Sequence, residues 1–127
     1  MAIIRIMEES EAGGRVKQIF EEIKTLLQVP FVPDLFRALG SKPEQLEAVW
    51  AQVKGLYGSG RLDVKTKILA ALAVAAVQRN GYFVKAYSIA LKRLGVSDEE
   101  LFELLNLAGL AAALNTLASG LDLEPEL

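Results

Sequence analysis

The chain has 127 residues, with 14 lysines and arginines against 16 aspartates and glutamates, so its formal net charge is −2. This length suits one domain whose core needs neither disulfides nor a metal. The charge gives no bulk attraction to nucleic acid or to an anionic membrane. The chain contains no cysteine and no histidine, which excludes thiol and imidazole chemistry by its own side chains and fits a cytoplasmic location.

The first thirty-three residues predict an arm followed by a helix. Residues 1–10 are expected to form an extended arm, and the only candidate strand in the chain is 3–6. Apolar residues then recur at steps of three and four over 12–27, which is the period of one helical stripe. Pro30 and Pro33 end this pattern, because proline lacks an N–H and disfavours helix in the residue before it.

Two more helices are predicted before residue 58. A short helix over 34–39 ends at Gly40. Ser41 and Glu44 have the spacing of a capping box, in which each side chain satisfies a backbone N–H at the other position. This box predicts the start of a third helix, which carries an apolar stripe as far as the glycines that begin at 58.

The middle of the chain predicts a central helix. Asp63 is placed to cap it, and its run 68–77 is almost entirely apolar. A helix that is apolar on every side must be surrounded by other elements. The run is too short to span a bilayer, and Asn80 and Gly81 interrupt it.

The last third predicts two further helices and a tail. One ends at Gly95, and a second capping box at Ser97 and Glu100 starts a helix over 101–117. Residues 121–127 form an acidic tail that is expected to be flexible. The prediction is therefore an all-α single domain of about six helices spanning 1–127. Its 52% apolar content suggests surplus apolar surface and a homo-oligomer, dimer or higher.

Four segments carry a family resemblance: 69–76, 80–87, 94–101 and 112–115. They resemble the AhpD-like, or carboxymuconolactone decarboxylase, superfamily of all-α oligomers. Redox members of that superfamily carry the motif Cys-x-x-Cys-x-x-x-His, preceded by a glutamate one helix earlier. A cysteine near a helix N-terminus has a lowered pKa and attacks as the thiolate, and a histidine four residues after the second cysteine shares its face.

When the motif and its glutamate are aligned with this chain without gaps, none of the four catalytic residues is present. The cysteine positions fall on Asn80 and Phe83, the histidine on Tyr87 and the glutamate on Ile68. The resemblance therefore implies the fold without the redox activity. No acidic group has the spacing of a calcium loop, and the sequence predicts no metal site and no cofactor.

The N-terminal half shows a second resemblance, carried by 11–24, 29–39 and 43–50. These segments are similar to DehI-type 2-haloacid dehalogenases, which resemble two fused copies of this fold and lack the redox cysteines. The resemblance implies an aspartate-activated water with an asparagine nearby. A single-copy relative would have to dimerise to rebuild such a site.

Asp34 and Asn115 are the candidate catalytic residues of such a hydrolase. Asp34 follows a proline break at a corner between loop and helix, among apolar neighbours in the sequence. The alternative is that its charge serves the dipole of a short helix. Asn115, in an apolar run, would orient a ligand carboxylate, or it is a buried asparagine satisfied by neighbouring backbone.

Asn80, Phe83, Tyr87 and Lys85 are the candidate binding residues. The first three would line a small pocket at the position of the redox motif, and Lys85 beside them would attract a small anionic ligand. The alternatives are a helix N-cap for Asn80, an aromatic core pair for Phe83 and Tyr87, and a solvated charge for Lys85.

Two functions follow as hypotheses. In the first, the chain is a non-redox scaffold that binds a small ligand or a protein partner and has no peroxidase activity. In the second, it is a hydrolase of small haloacids that acts at a subunit interface. Neither hypothesis involves nucleic acid or a membrane.

Overall fold

The computed structural model describes residues 2–126, and those residues contain helices and no strand. The expected all-α fold is confirmed. A short 3₁₀ helix precedes six α-helices: Glu9–Glu11, then α1 Gly14–Leu27, α2 Asp34–Leu39, α3 Pro43–Tyr57, α4 Val64–Val77, α5 Gly81–Arg93 and α6 Asp98–Gly120.

The backbone contacts group into two compact units, one up to Ser59 and one from Gly60. The first contains the 3₁₀ helix and α1 to α3, and the second contains α4 to α6. The expectation that residues 1–127 form a single domain stays a prediction.

The core of the first unit is built on the stripe of α1. Both α1 and α2 pack against α3, and the rings of Phe36 and Trp50 meet edge to face with centroids 5.7 Å apart. Such aromatic pairs add to the stability that their buried area provides. The buried side chains of this core are Val16, Ile19, Phe20, Ile23, Val32, Phe36, Leu46 and Trp50.

The N-terminal arm is held against this unit by charged side chains. Arg37 donates a hydrogen bond to the carbonyl of Met7 at 3.2 Å. The Met7 side chain also packs closely over Gly40, because a methyl group at that position would come within 2.8 Å of the Met7 sulfur. The arm is shorter than predicted, because a 3₁₀ helix begins at Glu9, and residues 3–6 are not a strand. Met1 lies outside the described residues.

Glu9 joins three parts of the first unit. Its carboxylate accepts hydrogen bonds from Lys24 Nζ and from the backbone N–H of Val32, both at 3.1 Å. The Val32 bond, followed by the Lys24 bond, lowers the pKa of Glu9. Because the folded pKa lies below the unfolded one, this contribution to stability is complete above the unfolded value and is lost as the pH falls through the folded value.

We expect Glu9→Gln to lower the free energy of unfolding by about 1 kcal/mol at pH 7, a value reduced for the partial exposure of the carboxylate. The difference from the unmodified protein should shrink as the pH falls below about 4.3, the ordinary value for glutamate, and vanish below the lowered folded pKa. Denaturant unfolding at pH 7 and at pH 3 measures both. Glu124→Gln, in the tail beyond α6, is the control, and an equal loss in that variant would contradict the assignment.

The second unit is organised around α4, which packs against both α5 and α6. The predicted caps are confirmed: Asp63 accepts from the Thr66 N–H at 2.7 Å, and Ser97 and Glu100 form a capping box. Gly95 has φ +88°, a value that favours glycine. The buried side chains are Ile68, Leu72, Ala75, Leu91, Val96, Leu101 and Ala108.

One predicted cap is wrong. Helix α3 starts at Pro43 with Lys42 as its N-cap, and the Ser41 hydroxyl instead donates to the carbonyl of Ala38 at 3.4 Å. Proline suits the first helical position, because its fixed φ matches a helix and its missing N–H would have no partner there. The proline therefore sets the start of α3 in place of the Ser41 and Glu44 pair.

Helix α6 is largely apolar after its acidic first turns and is mostly exposed. By length and composition alone it would cross a membrane, although core helices of soluble proteins pass the same test. The flexibility of the tail stays a prediction, and Leu127 lies outside the described residues. The exposed large apolar side chains of α6 are Phe102, Leu105, Leu107, Leu110, Leu114 and Leu117.

Candidate functional site

The corner between α4 and α5 contains the residues that align with the Cys-x-x-Cys-x-x-x-His motif of the redox members. Helix α4 ends at Val77, and Arg79 follows in the left-handed region with φ +58°. Asn80 is the N-cap of α5, and its side-chain oxygen accepts a hydrogen bond from the Phe83 N–H at 3.0 Å. The capping interpretation of Asn80 is therefore confirmed.

Three aromatic rings follow this cap and form what we call the aromatic cluster: Tyr82, Phe83 and Tyr87. The rings of Phe83 and Tyr87 are stacked with centroids 5.1 Å apart and an interplanar angle of 23°. Tyr82 meets Phe83 edge to face at 5.1 Å. The pairing of Phe83 with Tyr87 was predicted from their spacing, and the added contact of Tyr82 was not.

The fourth motif position, Ile68, is buried in α4. The four positions thus hold a capping amide, two stacked rings and an aliphatic side chain. None of these groups is a thiolate, an imidazole or a carboxylate, so these side chains contain neither the nucleophile nor the acid–base pair of the redox motif.

The other predicted site residues are not gathered at this corner. Lys85 is exposed, and two residues along a helix place it about 200° around α5 from Phe83. Asn115 lies on α6 and is exposed, so the expectation of a buried asparagine is wrong. Its apolar neighbours along α6 are themselves exposed, and they do not cover it. The binding and catalytic roles of these residues stay predictions.

Asp34 lies in the other unit, in the first turn of α2. Its carboxylate pairs with Arg37 Nη2 at 2.7 Å, and 59% of its side chain is exposed. Its neighbours Phe31 and Leu35 are also exposed, so the expected apolar surroundings are wrong. The geometry matches the alternative interpretation, a first-turn acid that complements the helix dipole and here also forms an ion pair.

An open groove of about 870 Å³ lies between α1 and α3, and no local sequence pattern predicts it. At its floor the buried Trp50 donates its indole N–H to Glu22 at 2.9 Å, and this bond is the main cause of the lowered pKa of Glu22. Lys54 and Arg15 approach the same carboxylate at 3.5 and 4.0 Å. Arg15 also pairs with Glu47 at 3.0 Å, so each of these charged groups has an ionic partner and none is a free base or nucleophile.

A smaller groove in the second unit, of about 240 Å³, lies between α4 and α6. Two carboxylates line it, Glu100 and Glu103, and Glu100 is engaged by Ser97, whose backbone and hydroxyl bonds lower the pKa of Glu100. Among residues 2–126 no group of three acidic side chains has the arrangement of a metal site. Neither groove therefore combines an enclosed volume with convergent reactive groups.

Comparison with known proteins identifies relatives of this fold. Residues 43–123 match the model of the carboxymuconolactone decarboxylase family. The structure of the alkylhydroperoxidase AhpD core from Rhodospirillum rubrum superposes with a TM-score of 0.92 at 29% sequence identity, covering 99% of this chain and 95% of that one. The (R)-2-haloacid dehalogenase of Pseudomonas putida is 36% identical over an alignment of 72 residues that covers 53% of this chain. The chain spans only 24% of that dehalogenase.

Proposed function

Because the chain belongs to the carboxymuconolactone decarboxylase family, we propose that it is a non-redox member of this family, an interaction scaffold that assembles with further copies of itself. In this proposal it has no peroxidase activity of its own and acts in the cytoplasm, a location that the cysteine-free composition supports. The observation that carries the proposal is the exposed apolar surface of the second unit.

The large apolar side chains of this unit are exposed on all three of its helices. Val74 on α4 is 56% exposed, Ile89 on α5 is 53% exposed, and α6 adds six more such residues. Single exposed apolar residues are ordinary, and we infer an association site here because so many of them are concentrated on one unit. Self-association supplies the covering that such a surface needs.

The lack of peroxidase activity is supported by the aromatic cluster and by the missing reactive groups. We expect the purified chain to consume tert-butyl hydroperoxide, in the presence of a dithiol reductant, no faster than buffer does. The measurement is peroxide loss over time at several protein concentrations. A rate that rises in proportion to the protein would overturn the non-redox part of the proposal.

A haloacid hydrolase is the second candidate, favoured by the identity with the (R)-2-haloacid dehalogenase. Its difficulty is Asp34, which is exposed and paired with Arg37. The test is chloride release from both enantiomers of 2-chloropropionate, with Asp34→Asn beside the exposed control Glu44→Gln. Release that is lost only in Asp34→Asn supports the hydrolase, and no release from the unmodified chain removes it.

A small anionic ligand has less support than self-association. Its predicted cation, Lys85, lies on the far side of α5 from Phe83, and Asn80 already uses its side-chain oxygen as a cap. The aromatic cluster offers ring faces and edges, which fit an apolar or aromatic group better than a carboxylate. The scaffold is therefore proposed primarily as a protein-binding one.

A further inference from the structure

Helix α6 carries two separate apolar stripes. The inner stripe includes Leu101 and Ala108, which are buried, and α6 packs against α4. The outer stripe consists of leucines that recur at alternating steps of three and four residues and are 55–62% exposed; we call it the leucine seam. Its members are Leu107, Leu110, Leu114 and Leu117 on α6, and Leu121, the C-cap that follows the helix.

The spacing of the leucine seam is that of a coiled coil. Leu107, Leu114 and Leu121 are seven residues apart, and so are Leu110 and Leu117, which reproduces the a and d positions of a heptad repeat. At 3.6 residues per turn the seam lies about 150° around α6 from the inner stripe. Leu107 lies at the edge of the groove between α4 and α6, and the rest of the seam faces away from α4.

The side chains that flank the seam are small. Ala111 and Ala118 follow its d positions, and Ala113 and Gly120 precede its a positions. In knobs-into-holes packing each leucine of one helix enters a space between side chains of the other. One surface of α6 thus offers both the knobs and the room for them, which makes it complementary to a copy of itself.

The charge pattern also favours a second copy over a charged partner. Between Glu103 and Asp122 the sequence has no charged residue. Two copies of this face meet without like-charge repulsion, whereas a charged partner would find nothing on it to compensate its charges. Homo-oligomers with closed symmetry are also the commonest assemblies of soluble proteins.

We propose that α6 packs along its leucine seam against α6 of a second copy of this chain, with the shallow left-handed crossing of about +20° typical of such repeats. This inference rests on the proposed self-assembling scaffold and adds the surface through which it assembles. In a parallel twofold pair the central Leu114 lies opposite its own counterpart, and in an antiparallel pair it lies one layer away, opposite Leu110 or Leu117 of the second copy.

The first test compares the unmodified chain with Leu110→Glu/Leu117→Glu by light scattering during size exclusion. The double variant should form a smaller assembly, with self-association weakened roughly 100-fold or more. The control is Leu62→Glu/Leu94→Glu, which makes the same charge change at two exposed leucines outside α6 and should keep the original mass. Circular dichroism verifies that both variants are folded.

A folded seam variant that keeps the original mass overturns the leucine seam while leaving the self-assembling scaffold standing. Loss of assembly in both double variants also counts against the seam, because the effect is then not specific to it. An unmodified chain that is monomeric at all concentrations overturns the scaffold and the seam together. If the unmodified chain floats with anionic phospholipid vesicles and the seam variant does not, a membrane covers the leucine seam. That result would overturn the proposed pairing.

A second variant keeps the proposal testable if the charged one fails to fold. Leu114→Cys adds the only thiol in a chain without cysteine, and mild oxidation should convert it to a disulfide-linked dimer on a non-reducing gel. Leu62→Cys, at a leucine of similar exposure, should stay mostly uncrosslinked at the same concentration. Equal crosslinking of the two variants would contradict the seam.

Discussion

Trp50→Ala should lower the free energy of unfolding by about 4 kcal/mol, the largest effect that we expect from any single substitution in the first unit. Trp50 is 1% exposed, its ring meets Phe36 edge to face, and its indole N–H is bonded to Glu22. The truncation removes all three contributions and leaves a cavity between α2 and α3.

Trp50→Phe keeps an aromatic ring and removes the indole N–H, so it distinguishes the two contributions. It should cost about 1 kcal/mol beyond the loss of apolar volume, because the half-buried Glu22 keeps Lys54 and solvent as partners. Denaturant unfolding followed by circular dichroism measures these variants, with the exposed Gln52→Ala on the same helix as control. A loss below about 2 kcal/mol in Trp50→Ala would contradict the packing assigned to this residue.

Asn80→Cys/Phe83→Cys should form a disulfide within one chain on mild oxidation. The two positions are the N-cap and third residue of α5, joined in the native chain by the bond from the Phe83 N–H to the Asn80 side chain. Side chains three residues apart share a face at a helix start, and the helix N-terminus favours the attacking thiolate. Thiol titration should find two thiols per reduced chain and none after oxidation.

The same titration includes Asn80→Cys/Tyr82→Cys as the matched control. Two residues along α5 turn the second thiol well away from the first, so this variant should keep its thiols or link separate chains. The native chain has no cysteine, and every thiol counted is therefore an introduced one. Equal closure in both variants would contradict the geometry assigned to this corner.

Helices and caps were the most predictable features, because their signals are local. The stripe over 12–27 anticipates α1 within two residues, and the 34–39 prediction coincides with α2. Asp63 and Asn80 cap as expected, since a cap needs only a short polar side chain and the N–H groups that follow it. Pro43 shows the limit of such signals. Ser41 and Pro43 lie two residues apart and are both suited to start a helix, and α3 begins at the proline.

The environment of each candidate site residue was less predictable. The apolar neighbours of Asp34 in the sequence suggested an enclosed carboxylate, yet Phe31 and Leu35 are exposed. Its ion pair with Arg37 has the spacing of three residues at which helical side chains meet, which is the one local signal of its surroundings. The bond from Trp50 to Glu22 spans 28 residues, and no local pattern reports a contact over that distance.

Asn115 illustrates a different limit. An apolar run predicts that its members avoid water, but it does not say whether the chain itself or another copy covers them. Within one chain Asn115 and its neighbours on α6 are exposed. The high apolar content of the sequence predicts surplus apolar surface. Most of the exposed large apolar side chains lie in the second unit.

The mass of the unmodified chain in solution tests the proposed scaffold most directly. One chain weighs 13.8 kDa. Light scattering across a concentration series should give at least twice that mass, and the mass should persist on dilution into the micromolar range. A mass of one chain at every concentration would contradict the proposal that the exposed apolar surface of the second unit is covered by further copies.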